Sequence, residues 1–134
     1  MGETIHIPSC CYEIEEYIHG PNLQLTPQYN VIFFDGNDGA SRRVEQVYKA
    51  TRKVSNRAYL ISNNPQLSSD DHVLSLSDTV SSELCPLVYL PFVQLLSFIV
   101  SNDLHSIYQH PLLKEFKAIA AAKTENFVNY DGDD

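Results

Sequence analysis

Cationic side chains are scarce in this sequence. Nine Lys and Arg stand against seventeen Asp and Glu in 134 residues, a formal net charge of −8. Nucleic-acid affinity rests on cationic contacts to phosphate, so this balance argues against a nucleic-acid partner. It argues equally against an anionic membrane surface. A small phosphorylated ligand stays open, because a few backbone N–H groups suffice to hold one. Cysteine is also rare. The count is three, odd, and Cys10 and Cys11 are adjacent, which makes no disulfide framework. Reduced thiols in a cytoplasm are the natural reading. The start, Met1-Gly2-Glu3-Thr4-Ile5-His6, has no basic region followed by an apolar stretch, so no secretory signal is expected. A clean membrane-spanning run is missing too. The most apolar stretch, Leu84 to Val100, is interrupted by Cys85, Pro86, Pro91, Gln94 and Ser97 and falls short of the roughly 20 residues a span needs. A buried helix is expected there, with Pro86 in its first turn and Pro91 starting or kinking it. No Walker loop, dinucleotide-binding glycine motif, nucleophile elbow, internal repeat or low-complexity tract occurs.

What is present is globular. Hydrophobic residues make up 43% and charged residues 19%, and a single domain of this length can bury about two-thirds of its unfolded surface. Val31-Ile32-Phe33-Phe34 is wholly apolar and is closed by Asp35-Gly36-Asn37-Asp38-Gly39. Continuous apolarity fits a strand covered on both faces, as in a parallel sheet. Ser41 is placed to cap the next segment, where Val44, Val47, Tyr48, Thr51 and Val54 recur at the spacing of an amphipathic helix. Arg52, Lys53 and Arg57 fall near its end, where cations suit the helix dipole. Ala58-Tyr59-Leu60-Ile61 reads as a second strand and His72-Val73-Leu74-Ser75-Leu76 as a shorter third. Strand, helix and strand with short connections predict a βαβ crossover, hence an α/β fold with a parallel sheet flanked by helices. Leu112–Ala122 is a further helix candidate, and 131–134 is an acidic tail.

Few residues offer chemistry on spacing alone. The Asp35–Gly39 loop resembles a calcium loop in composition. However, Gly39 falls on the third ligand position, and Gln46 stands where a bidentate Glu is needed. The loop closes a buried strand at its carboxyl end, where open α/β sheets bind ligands, so it is expected to border a site without holding a metal. His6, Cys10 and Cys11 form the one soft-ligand group, but adjacent cysteines on an extended chain point to opposite faces and share a zinc poorly. No metal and no cofactor is expected. Cys85 reads as a small buried hydrophobe. The segment Tyr12-Glu13-Ile14-Glu15-Glu16-Tyr17-Ile18-His19-Gly20-Pro21 places three acids just before a histidine and stops the chain just after it. This holds His19 at a bend, its ring projecting from the sheet edge, with Glu16 as the carboxylate to orient the ring.

Glu16-Tyr17-Ile18-His19-Gly20-Pro21 resembles the Glu-x-x-His-Gly-Pro motif of sugar isomerase (SIS) domains, found in the isomerase half of glucosamine-6-phosphate synthase and in fructosamine-6-phosphate deglycases. The likeness continues on both sides. Gly2-Glu3-Thr4-Ile5-His6 resembles the family helix that carries the catalytic glutamate, and Glu3 lies sixteen residues before His19, as in the family. The strand at Val31, the helix from Ser41 and the strand at Ala58 follow in family order. Pro91-Phe92-x-Gln94-Leu95-Leu96 resembles a later family helix, with a shortened proline spacing. The resemblance covers Glu3 to about Tyr130. It implies an SIS-like, Rossmann-like three-layer sandwich.

The resemblance also implies chemistry. Glu3 would be the base that moves a proton between C1 and C2 of an open-chain sugar phosphate, a task for a group that serves first as base and then as acid. His19 would assist ring opening across a dimer interface. Ala122-Lys123-Thr124 resembles the segment of the family lysine that forms a Schiff base or polarises the carbonyl, with Lys114 and Lys117 as rivals to Lys123. The ligand would be a sugar 6-phosphate or amino-sugar 6-phosphate. The Ser/Thr-rich loop that holds the phosphate in the family has no counterpart in the sequence. Residues 1–130 are therefore expected to correspond to the C-terminal portion of such a domain, without its N-terminal strands. A homodimer, or a partner chain supplying the missing half, is expected. The alternative is a non-catalytic sugar-phosphate-binding regulatory or interaction module.

Overall fold

The computed structural model of the protein describes residue 5, residues 7–77 and residues 80–104. Two compact units divide the chain: Ser9–Leu96, and Met1–Pro8 together with Ser97–Asp134. The first unit carries the sheet. Val31–Phe34 forms β1, Ala58–Ser62 forms β2 and Val73–Ser75 forms β3. The strand order is β1-β2-β3, and both pairs are parallel, with Val31 opposite Ala58 and Leu60 opposite Val73. The chain has an α/β fold. The third strand is one residue shorter at each end than its sequence pattern predicts, although the His72 carbonyl and the Leu76 N–H still bond to Leu60 and Ser62 of β2.

Helix α1 spans Ile14–Ile18, α2 Ser41–Arg52 and α3 Cys85–Asp103. Short 3₁₀ turns at Pro21–Gln24, Pro65–Leu67 and Ser82–Leu84 lie between the elements. Helix α2 is the crossover from β1 to β2. It buries Val44, Val47, Tyr48 and Thr51, the stripe that the three- and four-residue spacing predicts. Two details differ from expectation. The helix ends at Arg52, so Val54 lies past the stripe and is exposed. Ala40 takes the N-cap position and Ser41 is the first helical residue, its hydroxyl donating to Asp35.

Period-two alternation sorts the strand residues between two layers. Phe33, Ala58 and Leu60 face α2 and pack with Val44, Val47 and Tyr48, joined by Ile14, Tyr17 and Ile18 of α1. Edge-to-face rings fix this layer, Tyr17 on Phe33 at 5.8 Å and Phe33 on Tyr48 at 6.1 Å. On the other face Ile61 meets Cys85 and Tyr89 of α3, with Ile32 and Phe92 alongside.

Helix α3 departs from the expected buried helix. Leu87, Leu95 and Phe98 are exposed, and 22% of its most apolar window is buried. Ser82–Asp103, at mean hydropathy 1.9, is long and apolar enough to cross a membrane by length and composition. Its first turns nevertheless pack on the sheet through Cys85, Tyr89 and Phe92. Pro86 occupies the first turn and Pro91 lies inside the helix, where it has no N–H to give to the Leu87 carbonyl. In the second unit Ser101 Oγ donates to the Phe98 carbonyl at 3.1 Å, a bond that a helical serine commonly makes to the preceding turn. The helix expected at Leu112–Ala122 and the tail 131–134 lie outside the described residues.

Leu60 has no exposed surface, whereas Leu74 is 45% exposed on the sheet's other face. Leu60→Ala is expected to lower unfolding stability by about 2–5 kcal/mol, and Leu74→Ala by about 0.5 kcal/mol. Urea denaturation followed by circular dichroism checks the contrast.

Candidate functional site

The carboxyl end of β1 is built around a buried acid. Asp35 is 2% exposed, and each of its carboxylate oxygens is engaged. Ser41 Oγ donates to Oδ1 at 2.5 Å and the Asn37 N–H donates to the same oxygen at 3.0 Å. Ser62 Oγ, at the end of β2, donates to Oδ2 at 2.7 Å. The Tyr89 hydroxyl of α3 donates to the Asp35 carbonyl, and Cys85 Sγ lies 3.4 Å from the Gly36 carbonyl. Asn37 turns the chain with a φ of 52°, a left-handed conformation that asparagine tolerates better than most residues. Its side chain donates to the Val80 carbonyl at 2.7 Å. Asp38 Oδ1 accepts from the Ala40 N–H at 2.7 Å, and the Asp38 N–H donates to Ser41 Oγ at 3.0 Å.

The loop closes the carboxyl end of β1, and its buried carboxylate is committed to the protein's own donors. Its side chains serve as struts. Among the described residues no group of three His, Cys, Asp or Glu side chains is placed to hold a metal ion. Cys10 and Cys11 are exposed thiols and Cys85 is a buried one.

His19 follows a helix and not a strand. Glu13 caps α1: its Oε2 accepts from the N–H groups of Glu15 at 2.9 Å and Glu16 at 3.3 Å. Glu16 Oε2 accepts in return from the Glu13 N–H at 3.4 Å. This reciprocal pair satisfies donors that a helix start leaves free. It also turns the Glu16 carboxylate to the far end of the helix from His19, so the expected orienting contact is not made. His19 is the C-cap, its N–H shared between the Glu15 and Glu16 carbonyls at 3.2 and 3.3 Å, and its side chain is exposed. Gly20 and Pro21 then turn the chain into the 3₁₀ segment. Arg43 of α2 pairs with Glu15 at 2.9 Å and ties the two helices. Glu3 and Lys123, with Lys114 and Lys117, lie outside the described residues.

A second polar cluster lies before β3 and escaped the sequence reading. Tyr48 Oη donates to Asp70 Oδ2 at 2.8 Å, and the His72 N–H donates to Asp70 Oδ1 at 2.9 Å. The His72 ring stacks on Tyr59 at 5.1 Å. The backbone bond from His72, joined by the Tyr48 hydroxyl, holds the Asp70 carboxyl below the usual carboxylate range. Burial, helped by the Asp70 carboxylate, pushes the Tyr48 phenol up. The signal is faint: an Asp three residues before an apolar run marks a turn, but its tyrosine partner is on another element.

No protein-family model and no curated protein matches the chain.

Two outcomes test these clusters. Asp35→Ala strands the Ser41 and Ser62 hydroxyls and the Asn37 N–H, and is expected to cost about 3 kcal/mol. Asp35→Asn, which keeps the shape and one acceptor, is expected to cost less. Urea midpoints of the two variants give the comparison. Asp70 has a folded-state pKa below its unfolded value, so its stabilisation is full above the unfolded value near pH 4. That contribution is lost as pH falls through the lowered one. Tyr48→Phe removes one of the bonds responsible, so its urea midpoint is expected to fall less steeply below about pH 4 than that of the parent.

Proposed function

We propose that the chain is part of a phosphosugar isomerase or fructosamine-6-phosphate deglycase type protein. It binds a 6-phosphorylated sugar or amino sugar and moves a proton between C1 and C2. The observation that carries this reading is the Glu16-Tyr17-Ile18-His19-Gly20-Pro21 motif with Glu3 sixteen residues before His19. A parallel α/β frame is compatible with it. So is a histidine ring exposed at the end of a capped helix, free to enter a neighbour's site.

In this reading Glu3 removes the proton from one carbon and returns it to the next, which requires one group to act as base and then as acid. His19 assists ring opening in a second subunit, and Lys123 meets the carbonyl. The phosphate is held by a Ser/Thr-rich loop brought by a homodimer or by a partner chain, and the protein works in the cytoplasm. A second reading, a sugar-phosphate-binding regulatory or interaction module without catalysis, draws on the lack of that loop in the sequence.

In the assembled protein, Glu3→Gln is expected to abolish exchange of the C1–C2 proton with solvent while leaving fructose 6-phosphate bound. NMR of the sugar in deuterated water measures it. Persisting exchange removes Glu3 from the role, and binding without exchange in the parent favours the regulatory module. A melt with fructose 6-phosphate or glucosamine 6-phosphate in about hundredfold excess over Kd is expected to show about 2.7 kcal/mol of added stability where the site is complete.

A further inference from the structure

Strand β1 stands at one end of the sheet among the described residues. Its backbone toward β2 is used: the Val31 and Asp35 N–H groups donate to the Arg57 and Ile61 carbonyls at 3.1 and 3.0 Å. Bonding alternates along a parallel ladder, so the N–H and C=O groups of Ile32 and Phe34 point away from β2. Native sheets blunt such edges with lysine, proline, a bulge or a very short strand. β1 is short, but all four of its residues are apolar and pair with β2 without a bulge. This is the pattern of an interior strand of a parallel sheet, found at an edge among the described residues. Phe34 is 39% exposed although Tyr89 and Phe92 lie against it, with ring centroids at 5.5 and 6.5 Å.

We propose that the β1 edge takes up an extended strand of a different polypeptide, apolar at alternate positions and basic at its ends. Main-chain bonds to Ile32 and Phe34 supply the affinity, and side chains meeting Phe34 supply the selectivity. Charge decides against a second copy of this chain. A copy related by a two-fold axis through the edge runs antiparallel to β1 and brings the two α1 helices together, because α1 packs over β1 through Tyr17 on Phe33. Each α1 brings Glu13, Glu15 and Glu16, of which Glu15 alone has a cation within ion-pair distance among the described residues. Each chain also carries −8. Opposed like charges suppress that pairing, and the same acidic rim attracts a basic partner. The inference does not use the sugar-phosphate reading; it stands on the β1 edge alone.

The test is backbone amide hydrogen exchange, read by NMR on the full chain. One probe is a short synthetic peptide of alternating valine and threonine capped by lysines, and the other is its counterpart capped by glutamates. The lysine-capped peptide is expected to slow exchange at Ile32 and Phe34 by about tenfold or more, with the glutamate-capped one much weaker. Ile32→Pro removes one outward N–H without touching a bond to β2, and Phe34→Lys places a charge on the edge while keeping the backbone. Either variant is expected to lose the peptide's effect. The proposal is overturned if neither peptide slows these two amides, or if both peptides slow them equally. It is overturned too if the chain alone runs at twice its mass with both amides already protected, since a second copy then fills the edge.

Discussion

A carboxyl group taken out of water must find its hydrogen bonds inside the protein. Asp35 meets that demand with donors from separate parts of the chain: Ser41 at the start of α2, Ser62 at the end of β2 and the Asn37 N–H of its own loop. Tyr89 of α3 fixes the same residue through its carbonyl. One residue, through its side chain and its carbonyl, thus joins both layers to the sheet at the end where an α/β fold places its ligands. The apolar core supplies the driving force, but it is non-directional. The Asp35 network supplies direction, setting where α2 begins and how α3 approaches.

Much of this frame was legible in the residues. The unbroken apolarity of Val31–Phe34, the turn chemistry after it and the stripe Val44, Val47, Tyr48 and Thr51 predict a strand, a crossover helix and a parallel partner, and these form. What stayed hidden depends on partners remote in sequence. Ser41 reads as a helix cap because local spacing says so, yet the cap falls on Ala40, and the Ser41 hydroxyl serves the loop before the helix, donating to Asp35 and accepting from the Asp38 N–H. Tyr89 lies 54 residues from the carbonyl it serves, and no local pattern announces that bond. Glu16 reads as the partner of His19 by proximity along the chain, but the N–H of Glu13 at the helix start is the group it meets. Helix α3 reads as buried from its composition. Composition does not say which side of a helix is covered: Cys85, Tyr89, Ser97 and Ser101 are buried, whereas Leu87, Leu95 and Phe98 are exposed.

The two faces of the sheet are consequently unequal. Helices α1 and α2 share one face and enclose a continuous core around Phe33 and Leu60. The other face rests on a smaller contact around Ile61, Cys85 and Tyr89, and leaves Tyr59 and Leu74 open. A parallel sheet covered on one side and half-covered on the other holds most of its packing energy in the α2 layer. That layer also carries the segment ending in His19.

The brevity of α1 has a consequence of its own. A helix of five residues lies far below the length at which a peptide sustains itself in water, because nucleation costs more than so few bonds return. It is held by the Glu13 cap, the Arg43 pair and the rings of Tyr17 and Phe33, and so comes into being by docking. The place of His19 in space is therefore an outcome of tertiary assembly. Whatever loosens the layer beneath it delocalises the imidazole before the sheet itself comes apart.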